Sequence, residues 1–177
     1  MSLQEMGDMM KGFKIKLSAV LLFCLILGYS GIVFGEGGVY DYSGNFTKQI
    51  QQNPLERDYQ IEFKAAQTRI DYDMLEGKYI KLWDRELNVI YQKLLSRLSD
   101  QQKDILIDAQ VGWLEWHTKE TKFVNITWMD DRKLGSQGAI QEAKAQKYRL
   151  RERTLQLMEY YYLLEHKVEF EYQGITK

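Results

Sequence analysis

The sequence predicts an all-α protein: an antiparallel three- to four-helix bundle with a long central helical hairpin. Apolar residues recur at spacings of three and four along most of the chain, and no segment shows the alternating pattern of a strand. The single proline, Pro54, stands where it can open a helix without interrupting one. Short connections between the helices favour antiparallel neighbours.

The first 35 residues have the layout of a secretory signal peptide. Three lysines precede an uncharged apolar run over residues 17–27, and small residues follow it up to Gly35. We expect cleavage after Gly35, and translation from Met10 would leave a more typical basic start. The alternative is an uncleaved inner-membrane anchor over residues 17–34, close to the ~20 apolar residues that span a bilayer. The protein is expected to be secreted or periplasmic, with membrane contact only through this segment.

The composition excludes several function classes. Lys and Arg number 24 against 25 Asp and Glu, so the chain lacks the basic surface with which proteins follow a nucleic-acid backbone. The single cysteine, Cys24, lies within the signal-like segment. Without it the exported domain has no disulfide, no thiol nucleophile and no cysteine ligand for zinc. We therefore expect packing alone to stabilise the domain.

The helical domain is expected over residues 53–173. Residues 36–52 are rich in Gly, Ser, Asn and Gln, which predicts a flexible lead-in. Asn53 and Pro54 then mark a helix start, because Asn can accept from first-turn amides and Pro loses no helical hydrogen bond there. The apolar spacing continues into the hairpin, and Gly77 is the expected point of a bend or break into two segments.

The second half of the hairpin begins at Ser99, whose spacing to Gln102 matches a capping box. The helix that follows carries two adjacent apolar stripes, which predicts a central position in the bundle. A loop is predicted over residues 125–138. The last helix is predicted from about residue 137 to about residue 172.

Polar side chains interrupt the apolar faces of the hairpin. In an antiparallel hairpin Asn88 lies level with Gln110, and Asp84 lies near Trp113. Each such group would cost roughly 1–3 kcal/mol if it were buried without a partner. We therefore expect a hydrogen-bonded seam that fixes the register of the two helices, with Arg153 of the last helix as an alternative partner for Asp84.

These residues also resemble a known family. The residues that carry the resemblance, in chain order, are Trp83, Asp84, Glu86, Leu87, Asn88, Tyr91, Leu94, Leu106, Ala109, Gln110, Trp113, Leu114, Gly135, Ser136, Arg153, Thr154 and Leu157. Their order and spacing are similar to the N-terminal domain of the LprI-like lysozyme inhibitors, over about residues 55 to 165. The resemblance implies a small exported helical domain of the bacterial envelope, with mainly structural motif residues, in a family of which some members inhibit lysozyme.

No catalytic, cofactor or metal site is predicted. His117 and Glu120 share a helix face at a spacing that binds metal in some bundles, but such sites need several ligands from different helices. Asp84 and Glu86 are two residues apart and therefore diverge on a helix, which argues against a carboxylate pair for acid and base chemistry. We therefore expect a protein that is not an enzyme.

A binding site is predicted in the loop after the hairpin. Trp128, Asp130 and Asp131 place an aromatic ring and two carboxylates in a connection between long helices, and such loops often carry binding. The expected partner is lysozyme, whose basic surface would attract the carboxylates, or another envelope protein. The alternative is a structural envelope domain of unknown target without inhibitory activity.

Overall fold

A computed structural model describes residues 38–129 and 135–175. The predicted signal peptide, the possible start at Met10, Asp130 and Asp131 lie outside these residues. In the described part the chain forms five α-helices and no strand, which confirms the all-α prediction. They are α1 (Asn45–Ile50), α2 (Pro54–Ala65), α3 (Arg69–Leu95), α4 (Asp100–Val124) and α5 (Gly138–Glu165), with a π-helical turn at Asn125–Met129 and a 3-10 turn at Gly135–Gln137. None of these helices is long and apolar enough to cross a membrane.

Local capping signals fix two of the helix starts as predicted. At the start of α2, the Oδ1 atom of Asn53 accepts a hydrogen bond from the backbone N–H of Leu55 at 2.9 Å, and Pro54 occupies the first helical position. At the start of α4, the backbone N–H of Ser99 donates to Oε1 of Gln102 at 2.9 Å. Each cap satisfies first-turn amides that have no partner inside the helix.

The break between α2 and α3 lies at residues 66–68 and not at Gly77. Gly77 sits inside a continuous α3, because a mid-helix glycine costs only about 1 kcal/mol relative to alanine. Thr68 and Asp71 form a capping box instead. The Thr68 backbone N–H donates to Oδ2 of Asp71 at 2.8 Å, and the Asp71 N–H donates to Oγ1 of Thr68 at 3.2 Å. This box starts a new helix eight residues or more before the glycine.

The core is built mainly by α3 and α5, which run parallel. Lys147 pairs with Glu76 at 2.8 Å, and Arg97, just after the end of α3, pairs with Glu165 at the end of α5 at 2.6 Å. The hairpin makes α3 and α4 antiparallel, as predicted. The buried apolar side chains of the two parallel helices are Leu75, Tyr79, Trp83, Leu87, Ile90 and Leu94 from α3, with Leu150, Leu157, Met158, Tyr161 and Tyr162 from α5.

The prediction that α4 is the central helix is wrong. Gln110 is its only buried residue, and its second apolar stripe, Ile107, Val111 and Leu114, is 41–50% exposed. Since α3 and α5 bury their apolar faces against each other, they leave room to cover only one stripe of α4. That stripe contains the partly buried Leu106 and Trp113.

The lead-in is more ordered than predicted, because part of it is helical and packs on the core. Phe46 and Ile50 of α1 are both buried. Before α1, the backbone N–H groups of Val39 and Asp41 each donate to the carboxylate of Glu159 at 2.9 Å. Glu159 is 3% exposed, so this segment supplies the donors that a buried carboxylate requires.

The last helix ends at Glu165 and not near residue 172. His166 adopts a left-handed conformation with φ of 57°, and the chain continues without regular structure. Val168, Phe170 and Tyr172 pack against the core from this segment. The buried carboxylate of Glu86 holds it, since the backbone N–H of Glu171 donates to Oε2 at 3.1 Å and that of Tyr172 donates to Oε1. These contacts replace the helical hydrogen bonds that the prediction assumed.

We expect Glu159→Gln to lower the free energy of unfolding by about 2 kcal/mol, because a neutral amide accepts more weakly and its own NH2 opposes the backbone donors. Urea unfolding followed by circular dichroism measures this. Glu115→Gln, at an exposed site on α4, should stay within about 0.5 kcal/mol of the parent. Equal effects of the two changes would contradict the anchoring role of Glu159.

Candidate functional site

Arg153 and Gln110 join α5 to α4. The Nε of Arg153 donates to Oε1 of Gln110 at 2.9 Å, and its Nη1 donates to Oε1 of Gln156 at 2.6 Å. Arg153 is 9% exposed and Gln110 is 7% exposed. Within the described residues Nη2 has no hydrogen-bond partner, and no carboxylate pairs with the guanidinium. Burial lowers the pKa of Arg153, and the neutral glutamines supply acceptors without removing the charge.

A second contact between the two helices is centred on Arg149. Its Nη2 donates to Oγ1 of Thr121 on α4 at 3.0 Å and to Oε1 of Glu142 at 2.9 Å. Its Nε approaches Nδ1 of His117 at 3.4 Å. The His117 ring stacks on Trp113, with centroids 5.1 Å apart and an interplanar angle of 14°. Burial, followed by the nearby Arg149 charge, lowers the pKa of His117, so the imidazole is neutral at pH 7 and its Nδ1 can accept a hydrogen bond from Arg149.

The predicted seam between Asn88 and Gln110 is wrong. Asn88 is exposed, and its Nδ2 donates to the backbone carbonyl of Asp84 in its own helix at 2.8 Å. The Asp84 side chain is also exposed, whereas Gln110 faces Arg153. The inward stripe of α3 passes through Leu87 at this height, and a neighbouring residue lies about 100° away around the helix. Asn88 therefore points to solvent.

The remaining motif residues divide into core and surface positions. Trp83 and Leu87 are buried at 2% and 3% exposure, and Tyr91 packs at the edge of the core. Ala109 is exposed on α4. Gly135 and Ser136 lie in the 3-10 turn before α5, where Gly135 has φ of 62°. A positive φ favours glycine, because a side chain there would be strained.

Exposed apolar side chains lie on the part of α4 that is turned away from α3 and α5, which we call the α4 outer face. Its residues form two flanks: Ile105, Ala109, Gly112, Trp116 and Phe123 on one side, and Ile107, Val111 and Leu114 on the other. The first flank repeats at spacings of four and three, so its members share one helix side. Ile105, Trp116 and Phe123 are 64%, 48% and 54% exposed. Core packing does not account for these side chains.

An acidic strip separates the two flanks. Asp104, Asp108 and Glu115 point outward between them, with Lys119 and Lys122 following nearer the C-terminal end of α4, and all five are exposed. Glu115 pairs with Lys119 of the same helix at 3.2 Å. The α4 outer face therefore combines aliphatic and aromatic side chains with exposed carboxylates, of which Glu115 has an ion-pair partner.

The π-helical turn extends this face toward the predicted binding loop. Trp128 is 39% exposed, and its ring meets that of Phe123 edge to face, with centroids 6.5 Å apart and an interplanar angle of 87°. Trp128 thus belongs to the same surface as α4, whereas Asp130 and Asp131 follow it outside the described residues. Sequence reasoning identified Trp128 but missed Trp116 and Phe123. The apolar residues of α4 are more than one buried stripe requires, and this excess is the signal in the sequence that some of them are exposed.

The family comparison matches the elements that carry this site. The family model described as lysozyme inhibitor LprI matches residues 62–157. The chain belongs to this family. The matched residues contain α3, α4 and the part of α5 that includes Arg153. Comparison with curated proteins and comparison with solved structures gave no match. In this LprI-family protein, α1, the start of α2 and the C-terminal segment lie outside the matched residues.

We expect Gln110→Leu to lower the free energy of unfolding by about 1–3 kcal/mol, because it removes one of the two acceptors of a buried guanidinium. Asn88→Leu should change it by less than about 0.5 kcal/mol, since Asn88 is exposed. Chemical unfolding of both variants provides the comparison. The interpretation fails if Asn88→Leu is the more damaging change.

The depressed pKa of His117 predicts a pH dependence. The unfolded chain takes up a proton near the ordinary pKa of about 6.5, while the folded chain resists it, so stability is lost as pH falls below that value. Between about pH 7.5 and pH 5.5 the free energy of unfolding should fall less in His117→Asn than in the parent. His166→Asn is the matched control, because Asn also tolerates a left-handed backbone. An unchanged pH profile in His117→Asn would exclude this role.

Proposed function

We propose that this LprI-family protein is exported and inhibits lysozyme by binding it through the α4 outer face. One observation carries the proposal: a chain of a lysozyme-inhibitor family presents a helix side with exposed apolar residues on both sides of an acidic strip. The N-terminal segment supports export, with residues 1–35 as a signal peptide. An anchor over residues 17–34 would place the same domain at the inner membrane.

The apolar part of the α4 outer face has the composition of a protein interface. Trp116, Phe123 and Trp128 are all more than a third exposed, and aromatic residues are enriched where protein partners meet. Burial of these rings against a partner would remove apolar surface from water, at roughly 25 cal/mol per Å².

The acidic strip favours a positively charged partner. Asp104 and Asp108 are exposed and form no ion pair within the described residues. A basic enzyme such as lysozyme would approach this surface faster than a neutral one, and its cationic side chains would find acceptors next to the apolar flanks. Asp130 and Asp131, which follow Trp128 in the sequence, would add charge at one end of the same surface.

The test is a lysozyme turnover assay with the purified protein, combined with affinity measurements on variants. We expect dose-dependent inhibition, and Trp116→Ala should weaken binding at least about tenfold, as expected for a buried aromatic anchor. Asp104→Asn with Asp108→Asn should weaken it mainly by slowing association, and more so at low salt. Tyr42→Ala removes another exposed aromatic ring, outside α4, and should leave inhibition unchanged.

Two outcomes would contradict the proposal. Unchanged lysozyme turnover at high micromolar concentrations of the protein would favour a structural envelope domain without inhibitory activity. Inhibition that survives both Trp116→Ala and the paired aspartate changes would place the contact elsewhere on the protein. N-terminal sequencing of protein recovered from the producing cell tests export separately, because cleavage after Gly35 should leave Glu36 as the first residue.

A further inference from the structure

A groove between α2 and α5 is separate from the α4 outer face. The groove opens to solvent and has a volume of about 520 Å³. This volume lies within the range of ~300–1,000 Å³ typical of small-ligand sites. Its lining residues are Tyr59, Gln60, Phe63, Gln141, Lys144, Ala145, Lys147 and Tyr148. Tyr59 and Gln60 precede the family-matched residues 62–157. One wall of the groove is thus built by a segment that the family match does not include.

One of the two lysines in the groove is already neutralised. Lys147 is 13% exposed, and its Nζ lies 2.8 Å from the carboxylate of Glu76, which is fully buried. The hydroxyl of Tyr59 donates to the other carboxylate oxygen at 2.6 Å, and the Lys147 amine lies 3.4 Å from the centre of the Tyr59 ring. Lys147 and Glu76 therefore form a closed ion pair that fixes the groove wall and contributes little net charge.

The second lysine leaves the groove with an uncompensated positive charge. The Nζ of Lys144 lies 4.9 Å from the centre of the Phe63 ring, and within the described residues it has no acidic partner. Burial, and in part the charge of Lys144, lower the pKa of Lys147. A bound anion would compensate the charge of Lys144, which lies on α5 three residues from the paired Lys147.

The rest of the lining combines amide groups with one open aromatic ring. Gln60 and Gln141 are exposed, and their side chains can donate and accept hydrogen bonds. Tyr148 is 58% exposed, while the Tyr59 and Phe63 rings already carry ammonium groups. A ligand that fits this arrangement has an apolar face for Tyr148, several hydroxyl groups for the amides and one negative charge for Lys144.

We propose that the groove between α2 and α5 binds an acidic saccharide, with the carboxylate at Lys144 and a sugar ring on Tyr148. A saccharide ring has an apolar C–H face and a polar rim, which matches an aromatic ring flanked by amides. A bare anion would use Lys144 but not Tyr148, Gln60 or Gln141. The inference goes beyond lysozyme binding and does not depend on it.

The experiment titrates the ¹⁵N-labelled protein with three compounds and follows amide chemical shifts. The compounds are methyl glucuronide, methyl glucoside as its uncharged counterpart, and acetate as the bare anion. We expect methyl glucuronide to shift resonances of α2 and α5 around the groove, with an affinity at least about tenfold above that of either other compound. Lys144→Gln should reduce the affinity for glucuronide to that for glucoside, and Tyr148→Ala should weaken both sugars.

Controls separate the groove from general charge effects and from the lysozyme surface. Lys122→Gln removes an exposed lysine of α4 and should leave glucuronide binding unchanged. Circular dichroism of each variant checks that it is folded, and the groove variants should inhibit lysozyme like the parent. The proposal is overturned by equal binding of glucuronide and glucoside, by acetate binding as tightly as glucuronide, or by shifts that do not occur in the groove.

Discussion

The parallel packing of α3 against α5 is the constraint that determines the rest of the fold. Two parallel neighbours cannot be joined by a tight turn, because the chain must first return along their whole length. The 25 residues of α4 make this return, with a rise of about 37 Å. A return helix needs only one stripe of contact with the pair it connects. The apolar residues on its other sides are therefore available to a partner.

Buried carboxylates hold the segments that are not helical. Glu159, Glu86 and Asp58 are at most 3% exposed, and each accepts at least one backbone N–H group from a terminal segment. A carboxylate removed from water needs donors, and an extended segment packed on a core needs acceptors for its amides. The two requirements are met together. Arg153 differs from these groups, since its described partners are neutral glutamine oxygens.

Features that depend on residues close together in the sequence were predicted correctly. Features that depend on contacts between distant segments were not. The caps at Asn53 and Ser99 are local, so their helices begin where expected. The antiparallel register predicts that Asn88 and Gln110 lie level along the hairpin. It does not predict how each helix is rotated about its own axis, because that rotation depends on packing against α5. The carboxylate of Glu86 was also beyond prediction, because its backbone donors lie about 85 residues away.

The motif residues Gln110 and Arg153 orient the α4 outer face without being part of it. Gln110 and Thr121 lie three turns apart on the stripe of α4 that faces α5, and Arg153 and Arg149 bond to them. Two such contacts fix the rotation of α4 about its axis, and thus the direction in which Trp116 points. Side chains on a helix held in this way lose less conformational entropy on binding than those of a mobile loop. If lysozyme binds the α4 outer face as proposed, loss of Arg153 would weaken that binding, because α4 would be held less firmly against α5.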